Sequence, residues 1–90
     1  MNKDTIKQSL FHTPQMVTFV KVDGTIRNLM GTLNKAHIGK HWAPTGNGQP
    51  EPNGIVRVWD LEAQAWRSFK VDSVTHIRAL EGNELLAIMD

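Results

Sequence analysis

The chain has 90 residues, of which 40% are hydrophobic and 21% charged, and it contains no cysteine. This length predicts a single domain (residues 1–90) with one small core and no deep substrate cavity. The formal net charge of +1 argues against a strongly basic DNA-coating protein and against an acidic nucleic-acid mimic. The lack of cysteine excludes disulfides, thiolate metal sites and a cysteine nucleophile.

No apolar run approaches the roughly 20 residues that span a bilayer, and the first residues lack an apolar signal segment. We therefore expect a cytoplasmic protein without a membrane partner.

Residues 4–13 are predicted to form a short helix. Asp4 or Thr5 can cap its start, since Thr5 begins a capping-box pattern, and Pro14 ends it. Such a short helix is not stable alone in water, so its apolar face must dock on the rest of the protein. That face carries Ile6, Leu10 and Phe11.

Residues 16–33 predict a β-hairpin around Asp23-Gly24. A three-residue loop, residues 23–25 with Gly24 in the left-handed conformation, gives one coherent apolar face, whereas a two-residue loop mixes polar and apolar side chains. The expected cross-strand pairs are Phe19 with Leu29, Val17 with Gly31, and Lys21 with Arg27. The last pair places two cations at the hairpin tip.

Residues 34–54 are predicted to form a long loop, because their second half is rich in proline and glycine. Its first part is either one helical turn or an irregular arm. Trp42 in this arm is either an anchor for a partner or a plug for an open barrel end. His37 and His41 have the spacing of a zinc-binding pair, but no third ligand is near in sequence, so we expect no metal site.

Residues 55–80 are predicted to form a second hairpin followed by the last barrel strand. A four-residue loop pairs Val58 with Phe69, Val56 with Val71, and Asp60 with Arg67 as an ion pair. On the opposite face, Trp59 meets Ser68 and Leu61 meets Trp66. This register makes the outer face of the hairpin rich in tryptophan.

The end of the chain contains a tight turn near Asp72, which can cap it, and then a fifth strand over residues 75–80. Residues 81–90 are predicted to be either a sixth strand or a helical tail. A strand there would either close the barrel or pair with a second copy of the chain as a homo-oligomer. Together these elements predict a mainly β fold, a small SH3-like or Sm-like barrel of five antiparallel strands, or six with the tail, and a short N-terminal helix.

Three motifs resemble a known family: KVDGT at 21–25, VWDL at 58–61 and WRSFKVDSV at 66–74. They are similar to those of small phage-encoded WYL-like proteins with an Sm-like SH3 barrel fold, over about residues 16–78. The Trp-Tyr-Leu triplet that names WYL domains is missing near residues 53–55, so its ligand-contacting role is not carried over. The resemblance implies the barrel fold, a phage origin and a location inside the infected bacterium.

No catalytic constellation is visible in the sequence. The serines lack the context of a nucleophile elbow, and paired carboxylates for acid–base chemistry are not apparent. Asp60 and Asp72 each have a structural explanation, an ion pair and a turn cap. We therefore predict no enzyme activity and no cofactor.

Basic and aromatic residues of the second hairpin suggest a binding surface instead. Arg57 and Lys70 are expected to face each other, and such a pair would attract an anion. With the neighbouring cations and tryptophans, this surface resembles those on which single-stranded nucleic acids stack. In the structural interpretation, which we favour for Trp59 and leave open for Trp66, the tryptophans are covered by Ile6, Leu10 and Phe11 of the N-terminal helix. The candidate binding residues are Arg57, Trp59, Trp66, Arg67, Lys70, Arg78 and Trp42, with Lys21 and Arg27 as a secondary basic tip.

The sequence thus predicts a non-enzymatic binding module that modulates a host or phage macromolecule during infection. A protein partner is favoured, because a net charge of +1 supplies little phosphate-driven affinity. The alternative is binding of RNA or single-stranded DNA through the basic and aromatic face, or of a signalling nucleotide, which is implied by the resemblance to WYL domains rather than by these residues.

Overall fold

The computed structural model describes residues 2–41 and 51–88. Its main elements are three helices and five strands, with a 3₁₀ turn at Gly39–His41 and another at Val71–Ser73. In chain order they are α1 (Lys3–His12), β1 (Gln15–Val20), β2 (Ile26–Thr32), α2 (Lys35–Ile38), β3 (Ile55–Asp60), β4 (Ala65–Lys70), β5 (Val74–Ala79) and α3 (Gly82–Ile88). No helix in these described ranges is long and apolar enough to cross a membrane.

The five strands form one antiparallel sheet in the order β4-β3-β2-β1-β5. In a flat sheet, β1 and β4 would lie about 14 Å apart, because they are three strand spacings away from each other. Instead, the rings of Phe19 on β1 and Phe69 on β4 stack with centroids 5.5 Å apart. The sheet is therefore strongly curled, which confirms the predicted mainly β fold with five strands.

The sharp bend between the two hairpins depends on Gly31. Strands β2 and β3 pair through Gly31 opposite Asp60 and Thr32 opposite Trp59. A Cβ atom on Gly31 would lie 2.6 Å from Val58 Cγ2 and 2.7 Å from Leu29 Cδ2, closer than Cβ atoms come to other atoms. Glycine at this position therefore leaves room for the side chains of Val58 and Leu29, which any larger residue would displace.

Helix α1 packs over the inside of the curl through Ile6 and Leu10, both fully buried. Its cap is Asn2, whose side chain accepts a hydrogen bond from Thr5 N at 2.8 Å, so the predicted caps at Asp4 or Thr5 were wrong. Phe11 is 51% exposed and does not share the buried face.

The first hairpin has a three-residue loop, as predicted, but this loop begins one residue earlier in the chain than predicted. Gly24 is in the left-handed region with φ 87°, and its N–H donates to the carbonyl of Lys21 at 2.9 Å. In this turn type the left-handed residue is the last of the three, so the loop is residues 22–24 rather than 23–25. The register moves by two residues, and Val17 pairs with Leu29 and Phe19 with Arg27. Because a shift of two preserves the faces, the predicted apolar face is correct although its pairs are not.

The second hairpin differs from the prediction in the same way. Its loop is residues 61–64, and Val56 pairs with Phe69 and Trp59 with Trp66. The physical reason is the Asp60 side chain, because its Oδ1 accepts from the backbone N–H groups of Glu62 and Ala63, both at 3.0 Å. This Asx-type cap makes Asp60 the residue that starts the loop.

Two segments that the sequence left open are helical. Residues 35–38 form one helical turn, capped by the Asn34 side chain at Ala36 N. Residues 82–88 form α3, so the sixth strand is not formed over this segment. The strand edge on which the predicted homo-oligomer rested is therefore missing there.

The sheet carries an apolar cluster on each of its two faces. The inner cluster contains α1 and the side chains at the centre of the curl, namely Ile6, Leu10, Val17, Phe19, Leu29, Leu33, Val56, Val58 and Phe69. The outer cluster lies under α2 and α3 and contains Ile38, Trp59, Leu61 and Leu80. These clusters determine which of the predicted site residues can reach a ligand.

Candidate functional site: a groove beside the first hairpin

The tryptophan-rich face that was predicted to bind a ligand forms a second apolar cluster instead. Trp59 and Trp66 are directly opposite each other, and their rings meet edge-to-face with centroids 5.5 Å apart. Trp59 is only 3% exposed, and Trp66 is half-buried. Side chains of α2 and α3, including Ile38 and Leu85, pack in the same cluster. Trp59 is thus covered, but the prediction that α1 covers it was wrong, since Ile6 and Leu10 belong to the inner cluster. Trp66 is partly buried and packs against both clusters.

The two-residue shift also separates the cations that were predicted to face each other. Arg57 lies opposite Ser68, and Lys70 lies opposite Ile55. The prediction of facing cations was therefore wrong. Arg57 is half-buried, and its backbone N–H donates to Glu51 Oε2 at 2.8 Å.

Asp60 forms its ion pair with Arg27 rather than with Arg67. Arg27 Nη2 lies 3.2 Å from Asp60 Oδ2, and Asp60 is 2% exposed. Arg67 is opposite Val58 on β4 and is exposed. Arg27 therefore connects the first hairpin to the end of β3 and does not form a basic tip with Lys21.

Arg78 holds α3 against β5. Its guanidinium donates to both carboxylate oxygens of Glu84, at 2.8 and 2.9 Å. These bonds, with a further one from Glu81 N, lower the pKa of Glu84 to about 2. Arg78 is thus committed to a bidentate pair within the protein, which reduces its availability to a phosphate.

The remaining predicted residues are not brought into one site. His37 is exposed on α2, while Trp42 and the side chain of His41 lie outside the described residues. Within the described part of the chain, no three His, Asp or Glu side chains are grouped in a way that could hold a metal ion. The structure therefore does not assemble the predicted residues into a single exposed surface.

A different feature stands out: an apolar groove of about 550 Å³ between the β1–β2 hairpin and the second hairpin. The wall from the first hairpin consists of Phe19, Val20, Lys21, Val22 and Asp23. The opposite wall, formed by β3, β4 and the following turn, consists of Ile55, Ser68, Phe69, Lys70 and Ser73. Its volume falls within the range of protein ligand sites.

The groove continues into an exposed apolar patch at the hairpin tip, which we call the tip patch (Val20, Val22 and Ile26). Val22 is 95% exposed, Ile26 is 71% exposed and Val20 is 38% exposed. Val20 is directly opposite Ile26, so the three side chains are neighbours rather than scattered. A contiguous exposed patch of this kind is typical of an interaction surface.

Charged groups on the groove walls are unevenly distributed. Lys21 and Lys70 are exposed on opposite walls. Asp23 accepts hydrogen bonds from the hydroxyl and backbone N–H of Thr25, at 2.7 and 3.1 Å. These bonds hold the pKa of Asp23 below its ordinary value, so it is ionised at neutral pH and directed into its own turn.

The wall formed by the start of β3 is fastened to α1 through Glu51. Lys7 and Lys3 lie 2.7 and 3.3 Å from Glu51 Oε1. Partial burial acts to raise the pKa of Glu51, but the hydrogen bond from Arg57 N and the contact with Lys7 outweigh it, so the pKa is lowered. The groove is thus built on a wall that is held in place by ion pairs.

Sequence reasoning did not identify the groove. One signal was available: MVTFVKVDGTI has aliphatic side chains at Val20, Val22 and Ile26, on the side of the hairpin that should be polar. A strand that is apolar on both faces must be covered on both faces or expose one of them. Only the tertiary structure shows that α2 and α3 cover the far end of this face and leave the tip open.

Comparison with known proteins agrees with this fold. The profile of the WYL_2 family, described as having an Sm-like SH3 beta-barrel fold, matches residues 3–75. An uncharacterized 11.5 kDa protein from the Gp31-cd intergenic region of Enterobacteria phage T4 is 29% identical over 89 residues, covering 93% of this chain and 84% of the relative. This similarity supports the predicted phage origin. No solved structure matches. With about four fifths of its length matched by the family profile, the chain belongs to the WYL_2 family of Sm-like SH3 β-barrel proteins.

Proposed function

We propose that this protein is a non-enzymatic binding module of phage type that binds a host or phage protein through the groove and the tip patch. The observation that carries the proposal is the continuity between the groove and three exposed aliphatic side chains, Val20, Val22 and Ile26. The fold and the phage relative support the class of protein, and the groove supports the kind of surface.

The energetics favour a protein partner for such a surface. Removing apolar area from water stabilises a complex by roughly 25 cal/mol per Å². Val22 is 95% exposed and Ile26 is 71% exposed, so the free protein gains little from their apolar surface. Polypeptide partners offer complementary apolar side chains, and a cluster of this kind at the centre of an interface dominates binding.

The alternative of nucleic-acid binding receives less support from the geometry. Trp59 lies in the outer cluster, and Arg27 and Arg78 are engaged with Asp60 and Glu84. The net charge of +1 gives little counterion-driven affinity.

The test is retrieval from a lysate of infected host cells by the tagged full-length chain, with and without nuclease. We expect one protein to be retained in stoichiometric amount, to survive nuclease, and to be lost with Val22→Ser. The matched control is Leu86→Ser, which removes another exposed aliphatic side chain, 70% exposed on α3 and outside the groove lining. Retention of nothing above background, loss on nuclease treatment, or equal retention by Val22→Ser would each overturn the proposal.

A further inference from the structure

We infer that the segment of the partner that enters the groove is acidic and apolar, with a large aliphatic or aromatic side chain between carboxylates. This inference rests on the proposed function and adds the chemistry of the occupant. It follows from the base of the groove, the charges on its walls, and the exposed patch beside it.

The apolar part of the occupant is specified by the groove lining. Phe19 and Phe69 stack at 5.5 Å and are 8% and 4% exposed, so their rings form a closed apolar base. Ile55 and Val20 lie on the walls beside them. A side chain placed there loses water on several sides at once, which favours a branched aliphatic or aromatic group over a polar one.

The acidic part is specified by charge complementarity. The groove lining contains two cations, Lys21 and Lys70, and one anion, Asp23. Asp23 is held mainly by Thr25 in its own turn, and the charge of Lys21 also helps to lower its pKa. Within the described residues, neither Lys21 nor Lys70 forms an ion pair shorter than 4 Å. The two ammonium groups belong to opposite walls, so a chain lying in the groove passes between them. Carboxylates on either side of the apolar anchor would pair with them, and a basic segment would be repelled.

The occupant is a polypeptide rather than a small ligand because the apolar surface does not end at the groove. Val22 lines the groove, but Ile26 of the tip patch lies outside the lining and is 71% exposed, so a ligand confined to the groove would leave it in solvent. A polypeptide can fill the groove and also cover the tip patch. Single-stranded nucleic acid fits poorly, since stacking needs an open aromatic face and both phenylalanine rings are buried.

The experiment selects peptides that bind the immobilised full-length protein from a random library of 12-residue peptides displayed on yeast. We expect the enriched peptides to contain a large apolar residue flanked by Asp or Glu. Their affinities are then measured by fluorescence anisotropy, and the amide shifts they cause are mapped by NMR. The shifts should fall on residues of both groove walls, including Lys21 and Lys70, and not on α3.

The decisive variant is Lys21→Glu/Lys70→Glu, which should weaken binding of the enriched peptides by about 10-fold or more. The control is Lys35→Glu/Lys40→Glu, which makes the same change in net charge on exposed residues of α2 and the following turn. The control should bind within about twofold of the unmodified chain, and both variants are checked for folding by circular dichroism.

Several results would overturn the inference. Enriched peptides without acidic bias, or equal affinities of the two double variants, would do so. Amide shifts centred on α3, or tighter binding of a 12-nucleotide single strand, would do so as well. Absence of enriched peptides, or self-association of the chain through the groove, would also overturn it. The proposed function is tested separately by retrieval from the lysate. If Val22→Ser abolishes retention of the partner protein while the peptide results are negative, the proposed function stands and only the inference of an acidic segment is wrong. If Val22→Ser keeps the protein, both fail.

Discussion

Two of the apolar cross-strand pairs on the outer face of the sheet have different surroundings. Trp59 and Trp66 lie at one end under α2 and α3, while Val20 and Ile26 lie exposed at the tip of the first hairpin. Between them is a polar pair in which the Thr18 hydroxyl donates to Asn28 Oδ1 at 2.7 Å. The larger and more aromatic pair is the structural one. Exposure is thus decided by which helices reach a region and not by the chemistry of the region itself.

Truncating one side chain under the helices and one at the hairpin tip should have very different effects on stability. Trp59→Ala should lower the free energy of unfolding by about 3–5 kcal/mol, because it leaves a cavity in the outer cluster. Val22→Ala should change it by less than about 0.5 kcal/mol, because its side chain is 95% exposed. Urea denaturation followed by circular dichroism measures both. Similar values for the two variants would contradict the assignment of one end as core and the other as surface.

The bend that separates the two ends can be tested at Gly31. Gly31→Ala places a methyl group against Val58 and Leu29, where the Cβ would be only 2.6 and 2.7 Å from their side chains. We expect a loss of about 1–3 kcal/mol in stability, since neighbouring core side chains must move. Gly82→Ala is the control, because nothing lies within 4 Å of a Cβ at that position. An unchanged urea midpoint for Gly31→Ala would contradict the close packing of the Val58 and Leu29 side chains around Gly31.

The register of both hairpins can be sharpened with a double-mutant cycle. Asp60 contacts Arg27 at 3.2 Å, whereas the register expected from sequence pairs it with Arg67. Asp60→Asn combined with Arg27→Ala should show a coupling energy of about 0.5–1 kcal/mol, modest because the guanidinium is partly exposed. The same cycle with Arg67→Ala should show none. Coupling to Arg67 instead would restore the register expected from sequence.

The smallest effect concerns the attachment of α3 over the tryptophans. The pKa of Glu84 is about 2 in the folded protein, below the ordinary value of 4.5, because Arg78 and Glu81 N hydrogen-bond its carboxylate. A lowered folded pKa stabilises the protein fully above pH 4.5, and this contribution is lost as the pH falls from about 4.5 to about 2. Tryptophan fluorescence should therefore report loosening of α3 in this window.

Glu84→Gln is the control for this titration, because it removes the ionisable group and keeps the shape of the side chain. The pH dependence that is specific to α3 is the difference between the unmodified chain and this variant. Asp23 and Glu51 also have lowered pKa values, so they contribute to the acid sensitivity of both proteins and cancel in the difference. Identical fluorescence titrations for the two proteins would show that the Arg78–Glu84 pair does not hold α3.

Local sequence patterns were sufficient for the strands and for their buried faces. The alternation of Val17, Phe19 and Leu29 predicted the inner face, and this face is buried even though the predicted pairs are shifted by two residues. The register was missed because it depends on turn details. Gly24 must be the third loop residue, and the Asp60 side chain must cap the second loop. Such one-residue differences in a loop change the pairing along the whole hairpin.

The candidate site was predicted poorly for a different reason. Trp59 was chosen for its chemistry, but α3 and α2 come from distant parts of the chain to cover it. The groove, in turn, needs Phe19 and Phe69, which are 50 residues apart in sequence and come together only when the sheet curls. The aliphatic residues of the first hairpin were the local signal of an exposed patch, but the cover and the base of the groove are contacts between distant elements and have no local signature.

Local patterns along the chain specify the mainly β character, the five strands, the short N-terminal helix and the faces that turn inward, since these depend on period-two alternation and on local turn and capping residues. The tertiary structure decided the registers, the partners of Asp60 and Arg78, the burial of the tryptophans and the opening of the groove. The physical reason is that burial and ion pairing depend on which surfaces meet across the curled sheet, and that is set by long-range packing around Gly31 and the two apolar clusters.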